Sequence, residues 1–246
     1  MAAAAQQKNE KASPAARQAH AGDSDPVERR AVLFSRLAWG VAALSWIVAF
    51  AALPYLPEVI PVHWNIYGEA DGFSGRVAGA FSLPVIIALT VLLLSVLPRI
   101  DSMRDRFTES RDIYAIVICA TACLLFGIEV TSLISSAGTD LPVAMVFPML
   151  LGFFFIVIGG MMPYIRRNTT IGFRLPWTIR SEKVWDETHR IGGPVFVAAG
   201  ILIVIASPLA GVWATPVMLL ILAAAILYLT LLSYRLARAE SSPGVS

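Results

Sequence analysis

Six apolar segments, each near the length of a bilayer crossing, organise this sequence. They cover residues 37–56, 77–97, 113–136, 141–165, 194–209 and 212–234. A membrane-spanning helix needs about 20 mostly apolar residues. In lipid, a single segment of this kind satisfies its backbone N–H and C=O groups by forming a helix. We therefore expect an all-α membrane protein, a bundle of about six transmembrane helices with a structured outer loop and a short cytoplasmic interfacial helix. The last two segments are separated only by Ala210 and Gly211, and the nearby Pro208 and Pro216 favour a helical hairpin there over one long helix.

The composition agrees with membrane embedding and excludes several classes of function. Hydrophobic residues make up 57% of the 246 residues and charged residues 15%, whereas soluble domains carry about 25% charged residues. A net charge of +2 gives no electrostatic basis for direct nucleic-acid binding. Cys119 and Cys123 are four residues apart in an apolar segment, so we interpret them as small buried residues on one helix face rather than a disulfide or a metal-ligand pair.

The positive charges predict the orientation in the membrane. Lys and Arg residues near segment ends concentrate on the cytoplasmic side. One side of the predicted bundle carries Arg29, Arg30, Arg36, Arg99, Arg104, Arg106, Arg111, Arg166, Arg167, Arg174, Arg180, Lys183, Arg190, Arg235 and Arg238. The opposite side carries Arg76 alone. Both termini and the loop of residues 166–193 are therefore predicted to be cytoplasmic, and residues 57–76 to form an outer loop.

The polar connection before the fifth segment is too patterned to be a spacer. The residue before Pro176 is pushed toward an extended conformation, so residues 172–177 are expected to form an irregular, fixed loop. Ser181 can cap a following helix, and Glu182 in its first turn is favoured by the helix dipole. Residues 192–194, Gly-Gly-Pro, are expected to end this short helix before the next membrane segment begins.

The predicted short helix is amphipathic. Its apolar side would carry Val184, Trp185, Thr188 and Ile191, and its polar side Glu182, Lys183, Asp186, Glu187 and Arg190. His189 shares a face with Glu182 and Asp186, which we interpret as a solvated surface rather than a metal site. Arg174 is expected to pair with one of the helix's carboxylates, with recognition of a partner or of a lipid phosphate as the alternative.

The outer loop combines an alternating segment with glycine-flanked acidic residues. Val62, Trp64 and Ile66 alternate with polar residues, which is typical of an extended segment. Gly68 and Gly72 flank the two acidic residues of the loop and predict two tight turns. The candidate partner-binding residues are Pro61, His63, Trp64, Asn65, Gly68, Glu69, Asp71 and Gly72. The alternative interpretation is a folded cap with Trp64 and Tyr67 anchored among lipid headgroups.

Glu129 is an acidic residue inside the third apolar segment. Such a carboxylate is costly in lipid and suggests either a polar, proton or ion site within the bundle, or a side chain bonded to Thr131, Ser132 or a neighbouring helix. The outer-loop spacing matches neither a zinc site nor a calcium loop, so no metal or other cofactor is predicted. Because no catalytic triad, phosphate loop or zinc-protease motif occurs, we do not expect an enzyme.

Two motifs in a fixed order resemble the SdpI family of bacterial multi-pass membrane proteins. The outer motif contains Pro61, His63, Trp64, Asn65, Gly68, Asp71 and Gly72, and is similar to the family's N-terminal domain of unknown function. The inner motif contains Gly172, Arg174, Pro176, Trp177, Ser181, Glu182, Trp185, Thr188, His189 and Arg190, and resembles the C-terminal domain. The resemblance covers about residues 40–235, with Ala70 standing where many relatives carry Pro.

The resemblance implies a bacterial cell-membrane protein that confers immunity to a secreted, membrane-active peptide. It also implies a cytoplasmic repressor protein held at the inner face, where the inner-motif residues would serve a structural or a partner-binding role. The implied division is a disordered tail (1–30), an N-terminal two-helix domain (31–112), an SdpI-like domain (113–235) and a C-terminal tail (236–246). The competing functions are a small ion-coupled transporter and a membrane scaffold without a toxin role.

Overall fold

The computed structural model describes residues 25–100, 103 and 110–241. Within these ranges the helices are α1 (Pro26–Ala52), α2 (Arg76–Ile100), α3 (Arg111–Ser136), α4 (Val143–Met161), α5 (Pro176–Arg180), α6 (Glu182–Ala210) and α7 (Ala214–Ser241). Strands β1 (Val59–Trp64) and β2 (Ala70–Gly75) form an outer hairpin, and short 3-10 turns cover Leu53–Tyr55, Met162–Tyr164 and Gly211–Trp213. The prediction of an all-α membrane protein is confirmed.

The last two helices form the predicted hairpin. In the described chain, five continuous helical runs are long and apolar enough to cross a membrane, and the last of them, Glu182–Ser241, contains both α6 and α7. The indole nitrogen of Trp177, just before α6 begins, donates to the hydroxyl of Ser233 near the end of α7 at 3.0 Å. The two helices are therefore antiparallel, and Gly211 supplies the turn between them with a φ of +58°. With this run divided into α6 and α7, the described residues contain six helices of membrane-spanning length.

The helices pack as two groups that follow the order of the chain. In the first group, α1 packs on α3 with α2 beside them, around Ala42, Ile87 and Ala122. In the second group, α4 packs on α6, with α7 against α6. A Cβ added to Gly200 of α6 would lie 2.5 Å from the backbone oxygen of Gly152 in α4. Such glycines let helix backbones approach closely, as is common in membrane bundles.

Helix α6 continues where the sequence predicted a break. It passes through Gly192, Gly193 and Pro194 without interruption, so the predicted end of a short interfacial helix there is wrong. A Cβ on Gly193 would lie 2.8 Å from the backbone oxygen of Gly159 in α4, which shows how tightly the neighbouring helix packs at this point. Packing against neighbours offsets the low helix propensity of glycine and proline in membrane helices. The second half of the inner motif, from Glu182 on, is consequently the first part of a long membrane helix.

The start of the first helix and the end of the last helix also differ from the predicted boundaries. Helix α1 begins at Pro26, inside the predicted tail of residues 1–30, because the Asp25 side chain caps it by accepting from the Val27 amide at 3.0 Å. Helix α7 extends to Ser241, beyond the predicted boundary at residue 235. The remaining tail residues, 1–24 and 242–246, lie outside the described residues.

The two cysteines do not share a buried face. Cys119 is buried in the core of the first group, whereas Cys123 is exposed. One helical turn on α3 therefore separates a side chain packed between helices from one on the bundle surface. The prediction that both are buried is wrong for Cys123, because residues four apart are rotated by about 40° relative to each other around a helix of 3.6 residues per turn.

Candidate functional site

The outer loop folds into a two-stranded antiparallel hairpin with a single turn. Val59 lies opposite Gly75 and Trp64 opposite Ala70. The Asn65 side-chain oxygen closes the turn by accepting from the backbone amides of Tyr67 and Glu69, at 2.9 and 3.1 Å. The extended segment was predicted correctly, whereas the second predicted tight turn, at Gly72, is wrong. Gly72 lies within β2, opposite His63, and a Cβ there would lie 2.8 Å from the His63 Cβ.

The hairpin brings the predicted polar residues together in pairs. Nδ1 of His63 lies 2.6 Å from a carboxylate oxygen of Asp71, and both side chains are exposed, at 71% and 45%. The side-chain amide of Asn65 donates to the carboxylate of Glu69 at 2.8 Å. Among the residues that the structure describes, no group of three His, Cys, Asp or Glu side chains is arranged to hold a metal ion. The hairpin therefore presents paired polar groups at its surface.

The tip of the hairpin is docked on the second group of helices. Gly68 has a φ of +79°, and a Cβ at this position would lie 2.5 Å from the Cβ of Ala144 at the start of α4. The Trp64 ring meets the Phe147 ring edge-on at a centroid distance of 5.4 Å. The Tyr67 ring contacts Trp213, in the turn between α6 and α7, at 5.5 Å. An element from the first part of the chain thus rests on the outer end of the later helices.

A cavity of about 280 Å³ lies between the hairpin and the helices that support it. It is lined by Ile60, Pro61, Val62, His63, Trp64, Gly79, Ala80, Ser82, Leu83, Ile86, Ile128, Glu129, Ser132, Leu133, Ser136 and Phe147. Three of the predicted outer-motif residues, Pro61, His63 and Trp64, therefore share a cavity with the intramembrane carboxylate of Glu129. In the sequence, the motif and the carboxylate are separate features. The cavity thus links Pro61, His63 and Trp64 of the hairpin to Glu129 of α3.

Glu129 is almost completely buried and is bonded to a neighbouring helix. It is 1% exposed, and the hydroxyl of Ser45 in α1 donates to its Oε2 at 2.5 Å. Thr131 and Ser132 donate instead to carbonyl oxygens of their own helix, so they are not its partners. Within the described chain, Oε1 of Glu129 is buried without a hydrogen-bond partner. Sequence reasoning missed Ser45, whose one indication is a hydroxyl within an otherwise apolar stretch of the first segment.

On the opposite side of the bundle, the inner motif is built around a buried Trp–His pair. The Trp185 indole donates to the carbonyl of Ile165 at 2.8 Å. His189 Nε2 accepts from the Phe173 amide at 3.0 Å, which leaves Nδ1 to donate to the Trp185 carbonyl at 2.8 Å. The two rings stack with centroids 4.1 Å apart. His189 is 1% exposed, so its predicted place on a solvated face is wrong.

The loop that covers this pair depends on Gly172 and on two polar residues that the sequence did not single out. Gly172 has a φ of +113°, and a Cβ there would lie 2.5 Å from Nε2 of His189. The buried Asn168 accepts from the amides of Thr170 and Ile171 at 2.7 Å each. Asn168 belongs to a run of polar residues ahead of Gly172, where an Asx turn could have been predicted.

The second missed residue, Thr178, fixes the start of helix α5. Its hydroxyl accepts from the amide of Leu175 and donates to the carbonyl of Phe173, both at 2.8 Å. Pro176 begins this single turn of helix, so the predicted irregular loop ends at residue 175 rather than 177. Ser181 caps α6 as predicted, because its hydroxyl accepts from the amide of Val184 at 3.2 Å.

The charged residues of the inner motif pair differently from the prediction. Arg174 is exposed and donates to the backbone carbonyl of Thr169, so its predicted pairing with a carboxylate of the following helix is wrong. Glu182 lies 4.0 Å from Arg167, and Glu187 pairs with Arg190 at 2.6 Å. The guanidinium of Arg174 thus fixes the loop backbone through the Thr169 carbonyl.

Comparisons with known proteins confirm the predicted resemblance. Residues 40–88 match a domain of unknown function (DUF1648), and residues 164–233 match the SdpI/YfhL protein family. The chain is 25% identical over 197 residues to a protein named "Immunity protein SdpI" from Bacillus subtilis (strain 168), an alignment that covers 79% of this chain and 91% of the relative. No solved structure matches the chain. The two matched regions contain the outer and the inner motifs, respectively.

Proposed function

From residue 164 to residue 233 this chain is similar to the SdpI/YfhL protein family, and from that premise we propose that it is a multi-pass immunity protein. It protects its cell from a secreted, membrane-active peptide, which it meets at the outer hairpin. The alignment with an immunity protein over most of both chains supports the general role. The cavity beneath the hairpin supports the location, because ligand sites are concave, mostly apolar and carry few polar groups.

The arrangement of charges supports a cytoplasmic position for both termini in the bacterial cell membrane. Arg30 pairs with Asp112 at 3.0 Å, and Arg111 lies 3.5 Å from Asp25, so the starts of α1 and α3 meet at one basic end of the bundle. The inner motif lies at this basic end as well, next to Arg166 and Arg167. The positive-inside rule places such an end in the cytoplasm. The proposed sequence units are residues 31–112 and residues 113–235, and the second contains α3 although this helix packs with α1 and α2.

The inner motif is proposed mainly to brace the cytoplasmic end of the bundle. Its two large ring side chains are used inside the protein, since Trp185 and His189 are buried and hydrogen-bonded. The exposed groups Arg174, Arg180 and Lys183 form the surface that would hold a cytoplasmic repressor protein. Changing Arg180 and Lys183 to Ala, with Arg174 kept because it holds the Thr169 carbonyl, is expected to leave protection intact while abolishing any change in transcription that follows exposure to the peptide.

Protection can be tested in cells. The full chain is expressed in a Bacillus subtilis strain that lacks its own Immunity protein SdpI, and the native gene is deleted in its own host. Each strain is treated with medium conditioned by its own peptide-secreting parent, and survival and membrane potential are followed. Expression should preserve survival and potential, and deletion should reduce both. Unchanged killing and depolarisation in both strains would contradict the proposed function.

A transporter is the second candidate function, because Glu129 is a buried intramembrane carboxylate with one oxygen that has no partner among the described residues. Such residues often belong to proton or ion pathways. In proteoliposomes, a transporter would give a proton or cation flux above that of empty liposomes, and Glu129→Gln would remove it. A flux equal to that of empty liposomes would exclude this candidate and leave the immunity role in place.

A further inference from the structure

Helix α3 carries two buried carboxylates with different surroundings. Asp112, at its first turn, is paired with Arg30 at 3.0 Å and also accepts from the amide of Ile113 at 2.9 Å. Glu129, near its other end, receives one hydrogen bond, from Ser45, and takes part in none of the ion pairs found in the described ranges. A buried carboxylate is normally compensated by a cation or by several hydrogen bonds. The missing compensation at Glu129 points to a cationic ligand.

The serine hydroxyls of the cavity and Nδ1 of His63 already have partners. The hydroxyls of Ser82, Ser132 and Ser136 each donate to a backbone carbonyl within α2 or α3, at 2.7–2.8 Å. His63 is paired with Asp71 on the hairpin. Glu129 is the one acidic residue among the described residues that line the cavity, and its Oε1 is left for a ligand. The surrounding walls are largely aliphatic, including Ile60, Ala80, Leu83, Ile86 and Leu133.

We propose that this cavity binds a primary ammonium group carried on an apolar stem. The ammonium donates to Oε1 of Glu129, and the stem packs along the aliphatic walls beneath the hairpin. A cavity of about 280 Å³ is much larger than a single metal ion needs. An ammonium suits the site better than a guanidinium, because a guanidinium binds best to both carboxylate oxygens at once, and Ser45 already occupies Oε2.

The source of this ammonium, which rests on the proposed function, is a lysine side chain or the N-terminus of the membrane-active peptide. The ethanolamine headgroup of a phospholipid carries an ammonium too, but its phosphate follows closely and needs a cation of its own. No Arg or Lys is among the described residues that line the cavity. A peptide ammonium, which has no adjacent anion, is the better match.

Binding can be measured on the purified full chain in phosphatidylcholine nanodiscs by equilibrium dialysis of radiolabelled n-hexylammonium. Glu129→Gln is expected to weaken binding by about tenfold or more, the effect of losing one charge-assisted contact. The matched control is Glu58→Gln, which makes the same charge change at an exposed outer residue that does not line the cavity. Unlabelled n-hexylammonium should compete, whereas n-hexanol should not. Equal binding to both variants, or equal competition by the alcohol, would overturn the proposal.

Two further arms identify the source of the ammonium. A short apolar peptide with one lysine should displace the probe, and the same peptide with that lysine acetylated should not. Probe binding should be unchanged in nanodiscs that contain phosphatidylethanolamine, since a loss of binding there would assign the cavity to lipid and overturn the peptide assignment. These results are independent of the killing assay. If the chain protects cells but does not bind n-hexylammonium, this inference alone is rejected. If it binds n-hexylammonium but does not protect cells, the proposed function alone is rejected.

Discussion

The outer hairpin and the inner loop are both patterned polar connections between apolar helices, yet the structure uses them in opposite ways. In the inner motif the distinctive side chains, Trp185 and His189 at the start of α6, are buried under the loop and bonded to each other and to nearby backbone. In the outer hairpin His63 and Asp71 are exposed, and the buried carboxylate of Glu129 below them has one oxygen without a partner among the described residues. A distinctive sequence motif therefore does not by itself show that its side chains are free to bind a ligand. Availability depends on which of its groups are already satisfied.

Removing the inner indole should have the largest effect on folding. Trp185→Ala is expected to lower the free energy of unfolding by about 3–5 kcal/mol, the usual cost of deleting a buried aromatic side chain. It also deprives the Ile165 carbonyl of its donor and His189 of its stacking partner. Chemical unfolding in detergent measures the change.

The matched control for that substitution is Trp39→Ala, because Trp39 is 42% exposed on the surface of the bundle. We expect this variant to lose much less stability than Trp185→Ala. Equal losses from the two variants would contradict a bracing role for the inner loop.

The next largest effect is expected at Gly172. Gly172→Ala combines an unfavourable φ of +113° with a Cβ 2.5 Å from Nε2 of His189, and should cost at least the roughly 1–3 kcal/mol of a strained backbone position. Gly138→Ala is the control, since Gly138 has a φ of +92° but no atom within 4 Å of the added Cβ. Thermal unfolding should shift further for Gly172→Ala, and indistinguishable shifts would show that the loop does not pack on His189.

On the outer side, Gly68→Ala should affect function more than overall stability. The added Cβ would meet Ala144 at 2.5 Å, so the tip of the hairpin must leave the start of α4. Because hairpins can open locally without unfolding the rest of a protein, the global stability should fall by about 1 kcal/mol or less. The hairpin should become more sensitive to protease, and protection against the peptide should fall.

The control for Gly68 lies in the same hairpin. Gly75→Ala adds a Cβ that meets no atom within 4 Å, and it should retain both protease resistance and protection. If Gly68→Ala makes the hairpin sensitive to protease but keeps full protection, docking of the hairpin on α4 is not needed for protection.

The smallest effect on stability is expected for two exposed pairs, one on each side. Asp71→Asn weakens the pair with His63, and Glu187→Gln weakens the pair with Arg190, both at 2.6 Å. Exposed pairs contribute about 0–1 kcal/mol, so neither variant should unfold appreciably earlier. Survival under the peptide should drop only for Asp71→Asn, and an equal drop for Glu187→Gln would remove the functional contrast between the two sides.

The sequence predicted the features that depend on local pattern and missed those that depend on contacts between distant residues. Segment length and hydropathy were enough for the six helices, and local chemistry was enough for the Ser181 cap and the extended outer segment. The uninterrupted course of α6 through Gly193 could not be predicted locally, because it depends on the approach of α4. Likewise, Ser45 and Glu129 are 84 residues apart in the chain.

His189 shows how a sound local rule can fail. On an isolated helix it would share a polar face with Glu182 and Asp186, but the loop folds over it and makes Nε2 the acceptor for the Phe173 amide. That fold requires Gly172 in a left-handed conformation, and a glycine in a loop does not by itself specify its φ. The sequence therefore proposed candidate residues on both sides, but their burial and pairing could not be predicted from it.

The most direct test of the account is to locate the peptide on the protein. A photoreactive p-benzoylphenylalanine replaces Val62, which lines the outer cavity, or Lys183, which is exposed on the inner helix. Cells that express each variant at equal membrane levels are treated with the secreted peptide, irradiated and analysed by mass spectrometry. The account predicts a peptide adduct at position 62 that is lost when Glu129→Gln is added, and no adduct at position 183. An adduct at position 183 alone, or an adduct at position 62 that is unaffected by Glu129→Gln, would contradict it.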